Sequence, residues 1–566
     1  MKRLITLLLS ASMILALAGC GKKDEKETKK TKRTKATLTT EETEDPFFSE
    51  TETESETESD TETETETETD PPAGTGDGSR IATPKDYPIS SDFAISHDAE
   101  NVYYSIATPF QAYAEPYEEN GQTRACLMLK EVDTIRFEPD DMDTYSQLWN
   151  TLEATFNQLD NNYEELYNKL LPQFCDNIAQ GKAKDYTMKE EITFYRADTE
   201  YFSFMVTQDY DCDMQNASIK THNYVTSDGR EIYFNDLVTD KQGFSDFFID
   251  YISNGDYSDF EIQQAKDLAG NMIVDDENAF PVEFLLGYDG IYFVYSKENA
   301  YPTLFKIPAM YCGDYIDMSY FGKTPDYYTL SDDCYGRITW DIFEDGKLEE
   351  IHPEFVTDEY DSVVGIDLVL DDTMRVSVPD SDLIEGECFM GMKLVKGFNN
   401  YYVYISMATE EDDWYNYAFE LAGNAGFEYV GTFRGNFTET WYDPTQLTLT
   451  ERSEVLGTGY ATMHYSAATS AMPESNSPYC SKEAVAIAAK DIPCTDDFGV
   501  EHTIPAGSAV YVFDYEPGGG KLEGITLAKK PGNSEIVTLE LSFDGYNVLI
   551  NGENQDDVFD GIRYAG

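Results

Sequence analysis

Apolar residues recur at spacings of three and four between positions 142 and 171, through Leu148, Leu152, Phe156, Leu159, Tyr163, Leu166 and Leu170. One face of an α-helix has that period, so a helix is expected there, ending at Pro172, which has no backbone N–H to give. The pattern then turns to alternation. Tyr201, Ser203, Met205 and Thr207 fall on one face and Phe202, Phe204 and Val206 on the other, the period of a strand. Ser227-Asp228-Gly229-Arg230 reads as a turn between strands, residues 243–252 as a helix, and residues 281–298 as two strands joined at Gly287-Tyr288-Asp289-Gly290. The order helix, hairpin, helix, hairpin predicts an α+β domain over residues 89–330, with an antiparallel sheet packed on helices.

From 331 to 475 the helical period disappears. Segments 363–370, 374–378, 401–407 and 429–434 read as strands between Asp/Gly turns. About 145 residues are too few for a propeller of four or more blades of about 40 residues each, so a small β-sandwich-like region is expected. Residues 476–566 hold a further alternating run at 536–543, followed by an Asp544-Gly545 turn. The fold class expected is multidomain, α+β and mostly β.

Composition adds a compartment. The 566 residues carry 40 Lys+Arg against 108 Asp+Glu, a net charge of −68. A binder that tracks nucleic-acid phosphates needs the opposite excess, so no nucleic-acid partner is expected. Lys2 and Arg3 precede an apolar stretch, Leu4 to Leu17, too short to span a bilayer comfortably. The following Leu17-Ala18-Gly19-Cys20 resembles a bacterial lipobox. That resemblance implies cleavage within residues 1–20 and a thioether-linked diacylglycerol on Cys20, two acyl chains being enough for a stable anchor. The competing reading is an ordinary cleaved signal peptide with an incidental cysteine. The expected location is the outer face of the cytoplasmic membrane, lipid-anchored and extracytoplasmic.

A linker is expected over residues 21–88. Residues 21–40 carry eight Lys/Arg and three Asp/Glu, and residues 41–70 carry fifteen Asp/Glu, mostly in a Thr-Glu repeat with no basic residue. Neither part has apolar periodicity with which to offset the entropy of folding, so both are expected to be disordered. The basic part is attracted to anionic lipid headgroups, while the acidic part repels itself and extends. Residues 81–566 carry 29 basic and 89 acidic residues, net −60, a field that attracts cationic partners.

Candidate chemistry is sparse. With Cys20 set aside, Cys126, Cys175, Cys212, Cys312, Cys334, Cys388, Cys480 and Cys494 remain. Cys480–Cys494 and Cys312–Cys334 are the pairs favoured by separation, with buried thiols the equal alternative. No Cys-x-x-Cys, Gly-x-Ser-x-Gly, His-Glu-x-x-His or phosphate-binding loop is present. His222 and His464 are expected to be strand residues rather than catalysts. Asp209-Tyr210-Asp211-Cys212-Asp213 begins like a calcium loop, but Met214 and Lys220 stand where Gly and Glu are needed. No catalytic residue, cofactor or metal site is expected.

Asp228-Gly229-Arg230-Glu231-Ile232 leading into Asn235-Asp236-Leu237-Val238, then Phe284 to Phe293 around Asp289-Gly290, and Ile307-Pro308, carry a family likeness. This part resembles the extracellular domain of unknown function found in lysozyme-sensing anti-sigma factors and in the N-terminal region of peptidoglycan deacetylases. It departs from that pattern where Gln215-Asn216-Ala217-Ser218 replaces a Gly-Gly-Ala-His segment. The deacetylases' Thr-Phe-Asp-Asp-Gly motif is also missing, Ser542-Phe543-Asp544-Gly545 coming nearest. Ile504-Pro505-Ala506-Gly507-Ser508 before Ala509 to Phe513 resembles the opening turn of a bacterial Src-homology-type small barrel, which implies a small β-barrel-like domain over residues 476–566. The function implied is a noncatalytic binding or sensing module for a cell-wall component, or for a cationic protein such as lysozyme. The alternative is an envelope hydrolase whose carboxylate pair has no recognisable motif.

Overall fold

The computed structural model describes residues 87–564 apart from 120–121, 183, 212–217, 275–281, 297–302, 359–361, 385–387, 410–412, 438–441, 497 and 528–535. The described residues form one compact unit. The leader with Cys20, and all but the last two residues of the expected linker, lie outside the described residues.

The first sheet has five strands in the order Phe110–Glu119, Gln122–Val132, Tyr186–Ala197, Tyr201–Asp211, Ser218–Val225. It is not purely antiparallel. Gln122–Val132 and Tyr186–Ala197 run parallel, from Met128 opposite Tyr186 to Val132 opposite Glu190. Parallel neighbours need a crossover, and the helix Ser146–Ala179 supplies it. That helix runs through Pro172 rather than stopping there. Phe174, beyond the proline, is fully buried in a cluster with Tyr163, Tyr167, Leu170, Cys126 and Met188. Burial of this continued apolar face offsets the lost hydrogen bond, which costs on the order of 3 kcal/mol.

Helices Lys241–Asn254 and Asp259–Met272 cover a three-stranded sheet of Phe284–Leu286, Gly290–Tyr295 and Thr303–Pro308. Phe248 packs edge-on against Phe293 and Phe305 at 5.2 and 5.9 Å between ring centroids. Two further sheets share one core. The first holds Ile338–Trp340, Glu349–Thr357, Val363–Leu370 and Met374–Ser377. The second holds Tyr328–Ser331, Cys388–Lys396, Tyr401–Ala408, Trp414–Leu421 and Phe427–Arg434. Their inward residues, Trp340, Ile366, Leu368, Val403, Ile405 and Phe419 among them, meet as in a sandwich. The last sheet begins at Asn436–Phe437 and curls as a half-barrel to the C-terminal strands. It rests on the first sheet through Ala114, Ala125 and Leu129 against Ile487, Ala509, Tyr511 and Leu527.

Among the described residues no helix is long and apolar enough to cross a membrane. None of the seven described cysteines is in a disulfide, so the bridges Cys480–Cys494 and Cys312–Cys334 do not form. Separation along the chain was a poor guide because strand pairing sends the thiols elsewhere. Cys480 lies opposite Tyr515 and Cys494 opposite His502, and the Cys312 thiol donates to the Pro308 carbonyl at 3.4 Å. Cys212 lies outside the described residues.

Candidate functional site

The hairpin of Tyr186–Ala197 and Tyr201–Asp211 contains a register shift between Phe194 and Arg196. A bulge re-aims the residue after it, and here Arg196 is carried fully inside. Its Nε donates to Asp198 Oδ2 at 2.6 Å, Nη1 to the carbonyls of Tyr320 and Gly287 at 2.7 and 3.4 Å, and Nη2 to that of Lys323 at 3.2 Å. The guanidinium carbon lies 4.7 Å from the Tyr201 ring centroid and 5.0 Å from that of Tyr288. Asp198 Oδ1 accepts the backbone N–H groups of Glu200 and Tyr201 at 2.7 and 2.9 Å. A buried charge pair left with spare donors would be costly, and this one spends its fork on carbonyls from distant segments. The hairpin tip, the turn at Gly287 and residues 320–323 are thereby fixed to one another.

Above this pillar is an open cleft of about 320 Å³, lined by Thr199, Glu200, Tyr201, Val225, Ser227, Arg230, Ser319 and Tyr320. The rings of Tyr201 and Tyr320 stand 5.3 Å apart at 36°. Burial pushes the Tyr201 phenol up to about 12, so it stays a neutral donor. Glu200 pairs with Lys323 at 2.8 Å, and Arg230, half exposed, lies 3.9 Å from Asp236. Gly229 sets the rim. Its φ is +66°, its N–H donates to the Val225 carbonyl at 2.9 Å, and a Cβ there would come within 2.9 Å of Leu148 Cα. Only glycine lets the turn press so closely on the long helix and still hold Ser227 and Arg230 over the cleft. The result is a cleft of hydroxyls with one guanidinium at its edge over a floor of packed tyrosines, suited to gripping a polar ligand.

The sequence placed one wall of this cleft, the 227–230 turn. It missed Arg196, Asp198, Tyr320 and Lys323. The available signal was faint, an Arg196 and an Asp198 two residues apart straight after Ile192-Thr193-Phe194-Tyr195, charges that are kept inside a fold only when each is answered. His222 lies outside the cleft, stacked 5.1 Å from Phe204 with Nδ1 3.6 Å from Glu231. His464 sits on Gly459–Ser466 opposite Thr448. Among the described residues, no group of three or more His, Cys, Asp or Glu is placed to hold a metal. The side chains of Asp209 to Asp213 and residues 215–217 lie outside the described residues. Glu200 is the one carboxylate among the described residues lining the cleft, so the two-carboxylate arrangement of a glycoside hydrolase is not found there.

No protein-family model matches the chain, and no curated protein matches it. Among solved structures the chain is similar to a DUF3298 family member from Bacteroides fragilis NCTC 9343, at 16% identity and a TM-score of 0.26 over 38% of this chain and 96% of that one. It is also similar to a DUF3298 family protein from Pseudomonas aeruginosa PAO1, at 11% identity and a TM-score of 0.26 over 39% of this chain and 98% of that one.

Proposed function

We propose that this protein is a lipid-anchored, extracytoplasmic binding module that grips a cell-wall component in the cleft beside Arg230. The cleft carries this reading. Its Ser and Thr hydroxyls and its single exposed guanidinium, over a tyrosine floor, match a wall glycopeptide, which offers hydroxyls and carboxylates together. The leader ending in Cys20 and the acidic linker support presentation at the outer face of the cytoplasmic membrane. The reading assigns no bond-making residue and no cofactor.

A basic protein such as lysozyme is the second partner class, favoured by the net charge of −60 over residues 81–566. The two separate in one experiment, retention of the full chain in detergent micelles on purified peptidoglycan and on immobilised lysozyme. Arg230→Glu is expected to weaken peptidoglycan retention roughly tenfold, the scale of one charge-assisted contact reversed. Retention on lysozyme alone, abolished by about 0.3 M salt and indifferent to Arg230→Glu, would move the function to the acidic surface. Release of soluble fragments from peptidoglycan would replace binding with hydrolysis.

A further inference from the structure

A second, much smaller space lies inside the molecule, where the first sheet, the turn at Gly287 to Gly290 and the sandwich meet. It measures about 10 Å³ and is lined by Phe194, Tyr195, Gly287, Tyr288, Asp289, Tyr292, Thr329 and Tyr442. Three of these residues are more than nine-tenths buried and carry a polar atom without a hydrogen-bond partner among the described residues: Asp289 Oδ1, Thr329 Oγ1 and the Tyr442 hydroxyl. Stranding one such atom costs about 1–3 kcal/mol, and most buried polar groups in folded proteins are answered, so three on residues that line one cavity call for a shared partner.

We infer that this cavity is a built binding site for one water molecule, held by Asp289, Thr329 and Tyr442. Size selects the ligand, because a cavity needs roughly 10–15 Å³ of such volume to hold a water, and nothing larger fits. Hydrogen-bond chemistry agrees. The other Asp289 oxygen, Oδ2, takes the buried Lys306 ammonium at 2.5 Å, so Asp289 is a carboxylate and only accepts. Burial and the neighbouring Asp443 keep the Tyr442 hydroxyl protonated. One water donates to Asp289 Oδ1, donates to one hydroxyl and accepts from the other, which meets all three groups at once. A metal cation is disfavoured because Lys306 already answers the Asp289 charge and hard cations require six or more oxygens. Residues 289, 329 and 442 are remote in sequence, so the water joins three segments that share no strand pairing.

The test turns on a sign. With water bound, Thr329→Val and Tyr442→Phe each remove one of its partners, and each lowers Tm by a few degrees. The double variant loses less than the sum, because the first change has already loosened the shared ligand. In a dry cavity the same substitutions remove stranded hydroxyls and raise Tm, which would overturn the inference. A crystal structure of the folded protein gives the independent reading. A single density peak about 2.6–3.2 Å from all three atoms supports the site. No peak, or an anomalous peak there after rubidium soaking, rejects it.

Discussion

Glu190 shows what one buried side chain does to the whole energy balance. It is 1% exposed in Tyr186–Ala197, and Gln208 donates to its Oε2 at 3.1 Å while Oε1 has no partner among the described residues. Burial pushes its carboxyl up to about 7, with Asp133 and Asp160 adding to the rise against the hydrogen bonds of Gln208 and Tyr163. The folded chain therefore keeps this proton over a range, from about 4.5 to about 7, in which the unfolded chain has released it. Stability falls as pH rises through that window, by ~3 kcal/mol at most for a shift of this size. Urea denaturation of Glu190→Gln is expected to show a flatter pH profile between about 5 and 8 than the parent. An unchanged profile would assign the slope to other groups. Arg196 marks the limit of reading at this scale. Its apolar neighbours place it on a strand, but the bulge that turns it inward leaves no trace in hydrophobic alternation.

Among the elements, those with a long apolar stripe were legible and those governed by contacts from elsewhere were not. The period through Leu148 to Leu170 found the long helix, and the cluster around Phe174 that carries it past Pro172 comes from strands either side of it in sequence. Helix Lys241–Asn254 was visible nearly to its ends. Helix Asp259–Met272 went unread although its start is written in the sequence, since Ser258 and Glu261 form a capping box. The Ser258 side chain accepts the Glu261 N–H at 3.3 Å, and Glu261 accepts the Ser258 N–H at 2.8 Å. Ser258→Ala is expected to cost about 1 kcal/mol, read as a lower urea midpoint at constant m-value. Of the sandwich strands, Val363–Leu370, Met374–Ser377, Tyr401–Ala408 and Phe427–Arg434 were legible, while Glu349–Thr357, Cys388–Lys396 and Trp414–Leu421 went unread, and the division into two sheets was not legible because alternation records a buried face without naming the sheet opposite. The cleft was legible only in part, its walls coming from residues 199–201, 225–230 and 319–320.

For the molecule as a whole, the junction between first and last sheets combines apolar packing with a charged bridge. Lys189 reaches Glu131 at 3.1 Å and Glu483 at 2.7 Å, and burial followed by the Glu483 charge pushes the Glu131 carboxyl up to about 8. The proposed anchor is tested at this scale too. Cys20→Ser is expected to move the protein from the membrane fraction to the soluble one and to remove the diacylglyceryl mass, and a variant still in the membrane fraction would place the anchor elsewhere. The parallel seam between Gln122–Val132 and Tyr186–Ala197 also sets a clock. The hairpin ending at Val132 needs only a tight turn, whereas its pairing with Tyr186–Ala197 must close a loop over residues 133–185 that includes the whole long helix. Until that loop closes, the folding chain offers a bare strand edge, the period in which a chaperone would find it and a stray strand could pair with it.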